Sequence, residues 1–167
     1  YRRTRYPVQR VDIFRFLALH HYGGLYSDLD VFPNRSEYVE DPSKPLAICR
    51  APKIRTKGAE PTAKEMTYEM EVLIGVRHEP LLLKIVDNMM SQLQGKSWRT
   101  GWWKRARMRY IWNTTGHVAL TAYVKALPYD DREKIRVLAL NAWNQEAALT
   151  KAAKKKYDCI THKSLTY

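Results

Sequence analysis

The pattern of apolar and polar positions at the start of the chain changes from a helical to a strand-like periodicity. Apolar side chains recur at helical spacing over residues 8–22, and Pro7 suits the first turn of a helix. Gly23 and Gly24 then interrupt this pattern. Over residues 25–32, apolar side chains alternate with small or acidic ones. The sequence therefore predicts a helix, a glycine turn and a strand in immediate succession.

The rest of the chain continues the alternation of strands and helices. Further strands are predicted at residues 46–49, 71–76, 136–140 and 159–162, and further helices at residues 80–93 and 115–127. The polar stretch after residue 49, rich in Pro, Lys and Thr, predicts a long loop up to Lys64. This alternation indicates an α/β fold with a mainly parallel sheet, in which residues 25–30 form a buried strand between parallel neighbours.

Length and composition fit one globular domain over residues 1–167. The chain has 45% hydrophobic and 28% charged residues, and its length allows one sizeable core but not two. Its two cysteines have neither a metal-site spacing nor the number needed for a disulfide scaffold. The formal net charge of +12 favours anionic partners, without choosing among nucleic acid, phosphoglycans, anionic membranes and nucleotide diphosphates.

Two acidic residues near the end of the first predicted strand are candidates for metal binding. Asp28 and Asp30 are separated by one residue, so on a strand their carboxylates point to the same side and repel each other. A divalent cation relieves this repulsion, and carboxylate oxygens are ligands that Mg²⁺ and Mn²⁺ prefer. Such a metal commonly binds one or two carboxylates together with substrate phosphates.

Two opposite charges lie on the otherwise apolar first helix. Asp12 and Arg15 are three residues apart and therefore neighbours on one face. One interpretation is a structural ion pair that holds the helix against its neighbours. The other is that Arg15 meets a phosphate or a sugar hydroxyl and Asp12 a sugar hydroxyl.

Together these features resemble a known enzyme family. The run Tyr-Pro-Val-Gln-Arg-Val-Asp-Ile-Phe-Arg at residues 6–15, followed by Leu-His-His-Tyr-Gly-Gly-Leu-Tyr-Ser-Asp-Leu-Asp-Val at residues 19–31, resembles the sugar-binding region with its Asp-X-Asp motif in glycosyltransferase family 32. Within that family the run is most similar to fungal enzymes that mannosylate inositol phosphorylceramide, and more distantly to capsular polysaccharide and toxin-type transferases. The resemblance implies a GT-A, Rossmann-like fold and a retaining transfer of a hexose from a nucleotide sugar to a glycan or glycolipid.

The resemblance also implies roles for individual residues. Asp30 is expected on the metal, with Mn²⁺ favoured over Mg²⁺, and His162 is a further candidate ligand. Asp28 and Asp30 are the expected catalytic residues. The donor is expected to contact a set of motif residues, namely Asp12, Arg15, Gly24, Tyr26 and Asp28.

The downstream resemblance is weaker and departs from the family pattern. Thr115-Gly116-His117 is similar to the family's Thr-Gly-Pro segment, with His117 in place of the proline, and Glu71 stands where asparagine is common. Family members also begin with a strand and helix that supply the nucleotide-base pocket, whereas seven residues precede the first helix here. We therefore expect this chain to be an N-terminally trimmed form that lacks the family's first strand.

Other functions remain open on the sequence alone. Residues 98–110 interleave aromatic and cationic side chains, as stacking surfaces for RNA or an anionic glycan do, which allows a basic binding module. A homologue that binds sugar nucleotides without turnover is a third possibility. We favour the transferase and expect no nucleic-acid partner. If the full-length protein is eukaryotic, we expect it to work in the Golgi lumen, anchored by a segment outside this chain. If it is bacterial, we expect it to work in the cytoplasm at the membrane.

Overall fold

The computed structural model describes residues 4–29, 31–33, 43–52, 66–95, 104–141 and 159–161. The helices are α1 (Pro7–Tyr22), α2 (Pro80–Gly95), α3 (Lys104–Thr114), α4 (His117–Ala126) and α5 (Tyr129–Glu133). The strands are β1 (Gly24–Ser27), β2 (Val31–Pro33), β3 (Leu46–Pro52), β4 (Met66–Gly75), β5 (Ile135–Asn141) and β6 (Cys159–Thr161). This content confirms the predicted α/β class.

The strands of the described residues form a mixed sheet in the order β1-β4-β3-β5-β6-β2. β5 runs parallel to β3 and β6, whereas β4 runs antiparallel to β1 and β3, and β2 runs antiparallel to β6. The prediction of a mainly parallel sheet is therefore wrong. Antiparallel pairing needs no helical crossover, so the alternation of strands and helices along the chain does not reveal it.

β1 lies at the margin of this sheet rather than in its middle. Among the described strands it pairs with β4, and Leu25 on it is 48% exposed. The chain turns after Ser27, so the apolar–polar alternation that predicted one strand is divided between β1 and β2. The prediction of a buried strand with parallel neighbours at residues 25–30 is wrong, because alternation shows that a strand has two different faces and not where it sits in a sheet.

The main core lies between the sheet and helices α1, α2 and α4. α1 and α2 pack against each other, and α4 packs on β4. Fully buried apolar side chains from these elements meet in one cluster that includes Ile13, Phe16, Ile48, Leu73, Leu82, Ile85, Met89 and Leu120. Alternating positions of the strands carry a smaller cluster, Val31, Ala47, Cys49, Val72, Ile74 and Leu138. The sheet is therefore apolar on both faces, which suits its place in an α/β fold.

Side chains cap the outer edge of β4 where β1 no longer covers it. β1 pairs with residues 72–75 of β4. Beyond them, Thr121 of α4 accepts a 2.9 Å hydrogen bond from the Tyr68 N–H, and Arg15 of α1 donates to the Met70 carbonyl. Unpaired backbone groups at a sheet edge are costly when buried, so these bonds fix α1 and α4 beside the end of β1.

Most predicted elements are present with shifted ends. The predicted helices correspond to α1, α2 and α4, and the later predicted strands to β3, β4, β5 and β6. The pattern does not predict α3 or α5, since α3 is dense in cations and α5 spans only five residues. Residues 53–64 of the predicted loop lie outside the described residues. Within the described ranges, no helix combines the length and apolar character needed to cross a membrane.

Candidate functional site

The two-glycine turn returns the chain from α1 directly into β1. Gly23 and Gly24 have φ angles of 71° and 91°, which residues with a side chain rarely adopt. The Gly23 N–H donates a 2.7 Å hydrogen bond to the Leu19 carbonyl and so ends α1. A Cβ at Gly23 would also lie 3.0 Å from the Arg77 nitrogen. The turn therefore requires glycine, and it sets β1 in contact with α1.

Two consecutive threonines join α1 to the end of α3 and to the connection that leads from α3 to α4. Gln9 Nε2 donates a 2.9 Å hydrogen bond to Thr114 Oγ1, and Thr115 Oγ1 donates a 2.8 Å bond to Asp12 Oδ2. Both threonines are fully buried. Gln9 and Asp12 lie almost one turn apart on α1, and they bind the adjacent residues Thr114 and Thr115. The two hydrogen bonds together fix both the position and the rotation of α1.

Arg15 is the centre of a buried charged cluster. Its guanidinium lies 3.4 Å from Asp12 Oδ1 and 3.5 Å from Asp28 Oδ1, and it donates to the Met70 carbonyl. Its Cζ lies 4.8 Å from the centre of the Tyr26 ring. Arg15 is only 6% exposed, and its Nε is buried without a hydrogen-bond partner among the described residues. The structure thus shows the ion pair of the first interpretation and also places Arg15 beside Asp28, whereas contacts of Arg15 and Asp12 with a phosphate or a sugar stay a prediction.

Asp28 begins where β1 ends and is the most accessible carboxylate of this cluster. Its N–H continues the sheet by donating a 2.8 Å hydrogen bond to the Glu71 carbonyl. Its Oδ1 accepts a 2.7 Å bond from the Tyr26 hydroxyl, which lies on the same side of the chain two residues earlier. The Asp28 side chain is 30% exposed, compared with 6% for Asp12. Asp28 is therefore the carboxylate through which this cluster can meet a ligand.

Burial changes the acid–base behaviour of two members of the cluster. Loss of water raises the pKa of Asp12 from 3.8 to about 6, and the hydrogen bond from Thr115 and the charge of Arg15 offset only part of this rise. Loss of water and the hydrogen bond to Asp28 raise the pKa of Tyr26 to about 12. Tyr26 therefore stays protonated at neutral pH and remains a hydrogen-bond donor to Asp28.

The candidate metal ligands are only partly within the described residues. Asp30 and His162 lie outside them, and the described ranges contain no group of three or more His, Cys, Asp or Glu side chains that could hold a metal ion. Asp28 Oδ2 has no hydrogen-bond partner in the described part of the chain. An accessible carboxylate oxygen of this kind fits Mg²⁺ or Mn²⁺, which bind through one or two carboxylates plus substrate phosphates.

The structure brings together four of the residues singled out from the sequence and separates a fifth. Asp12, Arg15, Tyr26 and Asp28 form the charged cluster. Gly24 starts β1, opposite Gly75, at the other end of the strand from Asp28. At about 3.3 Å per residue this separates the two by roughly 13 Å, so the expected contact of Gly24 with substrate stays a prediction. Its positive φ explains the glycine by itself.

Sequence reasoning did not find the partner of Asp12. In the sequence, Thr115 shows only a similarity to the family's Thr-Gly-Pro segment, which predicts no contact with Asp12. A carboxylate on a buried helix requires a hydrogen-bond donor from elsewhere in the fold. This requirement is the signal from which a partner of Asp12 could have been predicted.

Comparison with known proteins relates the first quarter of the chain to a glycosyltransferase domain. Residues 1–45 match the family model described as "Glycosyltransferase sugar-binding region containing DXD motif". The matched part contains α1, the glycine turn and β1, with the Asp-Leu-Asp motif at residues 28–30. No curated protein matches the chain. The match supports a glycosyltransferase-like role in general, with a nucleotide-sugar donor and the divalent metal that domains with this motif generally bind.

Proposed function

We propose that this chain transfers a hexose from a nucleotide sugar to a hydroxyl group of a glycan or glycolipid, with retention of anomeric configuration. The observation that carries the proposal is the cluster of Arg15, Tyr26 and Asp28 at the end of β1, inside the segment that matches the sugar-binding region. Retention and the hexose rest on the resemblance of residues 6–31 to family 32.

Asp28 is oriented by its neighbours before any ligand arrives. The Tyr26 hydroxyl and the Arg15 guanidinium both contact Oδ1 of Asp28, so Oδ2 is left to bind a ligand. With the carboxylate already fixed, binding does not have to restrict its rotation, and this lowers the entropic cost of binding. In the proposed roles, Asp28 meets the ribose or sugar of the donor, and Asp30 holds the metal.

The charges of the site suit a nucleotide diphosphate. Arg15 supplies a guanidinium, and the whole chain carries a net charge of +12, which attracts anions. Asp30 is the residue that would hold a divalent cation, Mn²⁺ in preference to Mg²⁺, with His162 as a further candidate ligand. When bound, such a cation stabilises negative charge on the departing diphosphate.

Asp12 acts through Arg15 in this proposal. Both of its carboxylate oxygens have partners inside the protein, one from Arg15 and one from Thr115. Its burial leaves little surface for a direct contact with the sugar in this conformation, so we assign it the task of holding the guanidinium in place. A guanidinium held by Asp12 can in turn hold Asp28, the more exposed carboxylate, toward the donor without first losing rotamer freedom.

Incubation with a panel of nucleotide sugars tests this proposal. The chain is mixed with UDP-glucose, UDP-galactose, UDP-N-acetylglucosamine or GDP-mannose, with Mn²⁺ or with EDTA, and released nucleoside diphosphate is measured. We expect Mn²⁺-dependent release from one donor. With a methyl glycoside added as acceptor, proton NMR of the newly formed glycosidic linkage should show retention. Binding of a donor without release would identify an inactive homologue, and neither binding nor release would overturn the proposal.

A further inference from the structure

Three side chains close to the charged cluster take no part in the proposed donor site. His117 is the first residue of α4, Trp112 lies near the end of α3, and Glu69 lies on β4. The His117 and Trp112 rings have their centres 5.4 Å apart at an angle of 50°. His117 Nδ1 lies 4.0 Å from Glu69 Oε2. The three side chains therefore form a continuous group, which we call the Trp112 group.

The Trp112 group is built on the same two segments that hold the charged cluster. Thr115, which binds Asp12, lies between Trp112 and His117 in the connection from α3 to α4. Along β4, Glu69 directly precedes Met70, whose carbonyl accepts from Arg15. The group is thus adjacent to the donor site, and a shift of either segment would move both.

Glycine at position 116 allows this close arrangement. A Cβ on Gly116 would lie 2.8 Å from the Trp112 Cα, a distance that real Cβ atoms do not show. The sharp connection between α3 and α4 therefore keeps Trp112 beside His117. Trp112 remains 42% exposed, so the fold places a residue with a large apolar ring at the surface next to two polar side chains.

This combination matches the chemistry of a sugar ring. A pyranose presents an apolar face of C–H groups that packs on an indole, and hydroxyl groups at its rim that need hydrogen-bond partners. Glu69 Oε1 already accepts a 2.7 Å bond from Thr67, which fixes the carboxyl group. The 4.0 Å between Glu69 Oε2 and His117 Nδ1 is too long for a direct hydrogen bond. One hydroxyl oxygen at about 2.8 Å from each atom spans that distance.

The acid in the group distinguishes a neutral sugar from nucleic acid. Tryptophan beside cations is typical of single-strand binding, and Arg107 and Arg109 are exposed on α3. Glu69 lies 4.0 Å from His117, whose ring contacts Trp112, and its carboxylate repels a phosphate backbone. The observations therefore favour a neutral sugar over a nucleotide.

We propose that Glu69, His117 and Trp112 form the acceptor subsite, which binds a terminal sugar ring of the acceptor glycan by stacking on Trp112 and by a hydroxyl bridged between Glu69 and His117. This inference rests on the proposed transferase function. The part of the acceptor that the protein recognises is then a neutral glycan, and the donor is bound at the charged cluster that contains Arg15 and Asp28.

Three substitutions test the subsite with little effect on the fold. Trp112→Ala removes the ring from a partly exposed position, and Glu69→Gln removes the charge while keeping the size. His117→Pro suits the first residue of a helix, and Gly116 before it is already extended, with ψ of −172°. Tyr129→Ala is the matched control, since Tyr129 is an aromatic side chain on α5 that is 68% exposed. Circular dichroism checks each fold.

The decisive measurement separates donor use from acceptor use. We expect each of the three variants to raise the acceptor KM about tenfold or more, and donor hydrolysis without acceptor to stay within about twofold of the parent. Tyr129→Ala should change neither. Saturation-transfer NMR with methyl glycosides of glucose, galactose, mannose and N-acetylglucosamine gives a readout without turnover, and Trp112→Ala should lose the signal of the glycoside that the parent binds.

The possible failures are distinguishable. If the parent releases diphosphate from a donor but the three variants change neither the acceptor KM nor the glycoside signal, the subsite is overturned and the transferase stands. If the parent uses no donor, the transferase fails, and the NMR result then decides whether the Trp112 group binds sugar at all. Loss of binding to a single-stranded oligonucleotide in Trp112→Ala, with glycoside binding unchanged, would also overturn the inference.

Discussion

The hydroxyl group of Thr115 donates a 2.8 Å hydrogen bond to Oδ2 of Asp12, a residue 103 positions earlier in the chain. This bond joins the segment that matches a sugar-binding region to a connection between helices far outside that segment. Through Asp12 it also holds Arg15, which in turn contacts Asp28. The position of the candidate ligand site therefore depends on packing between the two halves of the chain.

Replacing Thr115 with valine should destabilise the protein by about 1–3 kcal/mol, because a buried carboxylate loses a donor while the side-chain volume is kept. Urea unfolding of the parent, Thr115→Val, Asp12→Asn and the double variant forms a thermodynamic cycle. A coupling free energy near zero in that cycle would show that the contact between Thr115 and Asp12 does not contribute to stability.

Stability should depend on pH through Asp12. Its pKa is about 6 in the folded protein and 3.8 in the unfolded reference, so between these values the folded state binds more protons than the unfolded state. The ionised group therefore costs the folded state roughly 3 kcal/mol above pH 6, and this cost is absent below pH 4. Relative to Asp12→Asn, the parent should lose stability as the pH rises from 4 to 6. Urea unfolding across this range measures the difference, with the exposed Asp130→Asn as control; parallel curves would contradict the expectation.

The features that sequence reasoning predicted well are those set by nearby residues. α1, the glycine turn and Asp28 at the end of a strand depend on helical spacing, on positive φ at Gly23 and Gly24, and on local alternation. The candidate residues Asp12, Arg15, Tyr26 and Asp28 come from the same short segment and lie together in the structure, while their contacts with a substrate stay predictions. Their neighbourhood is therefore predictable because a single residue, Gly23, joins α1 to β1.

The features that sequence reasoning missed depend on contacts between distant segments. Among the described strands β1 pairs with β4, so it lies at the edge of the sheet and is not a buried strand. This antiparallel pairing also brings Ser27 opposite Val72. The capping of Met70 by Arg15, and of Asp12 by Thr115, joins residues that no periodicity relates. Apolar alternation gives the faces of a strand but not its neighbours, so the order and direction of the strands could not be read from it.

Gly116 should tolerate no side chain, whereas Gly95 should accept one. A Cβ at Gly116 would meet the Trp112 backbone, so Gly116→Ala should destabilise the protein by about 1–3 kcal/mol. A Cβ at Gly95, the last residue of α2, meets nothing within 4 Å, and Gly95→Ala should be neutral or stabilising by up to about 1 kcal/mol. Thermal unfolding of both variants measures the contrast. Equal stability in the two would mean that the connection between α3 and α4 can shift at little cost.

Arg15→Lys should lower transfer by about tenfold to a hundredfold although it keeps the charge. The planar guanidinium contacts Asp12, Asp28 and the Met70 carbonyl at the same time, and an ammonium group cannot make all three contacts in that geometry. Donor KM and kcat are measured separately, with the exposed Arg132→Lys on α5 as control. Unchanged donor affinity and turnover in Arg15→Lys would leave Arg15 with a structural role only.

Asp30→Asn should reduce turnover by about a hundredfold or more while leaving the fold intact. The substitution keeps the size and hydrogen-bonding capacity of the side chain but removes a formal charge from the proposed principal ligand of the divalent cation. Removal of the charge also relieves repulsion with Asp28, so thermal stability without metal should be unchanged or slightly higher.

The decisive comparison for Asp30 is a Mn²⁺ titration in which binding and turnover are followed together. Calorimetry gives metal affinity without any reaction, and Asp130→Asn, an exposed change of the same kind on α5, serves as the control. We expect Asp30→Asn to weaken Mn²⁺ binding and turnover in parallel, because a cation that neutralises the leaving diphosphate stabilises the transition state more than the ground state. Near-parental turnover that still requires Mn²⁺ would place the metal on other ligands. Turnover that is lost while Mn²⁺ affinity is kept would assign Asp30 to the donor instead.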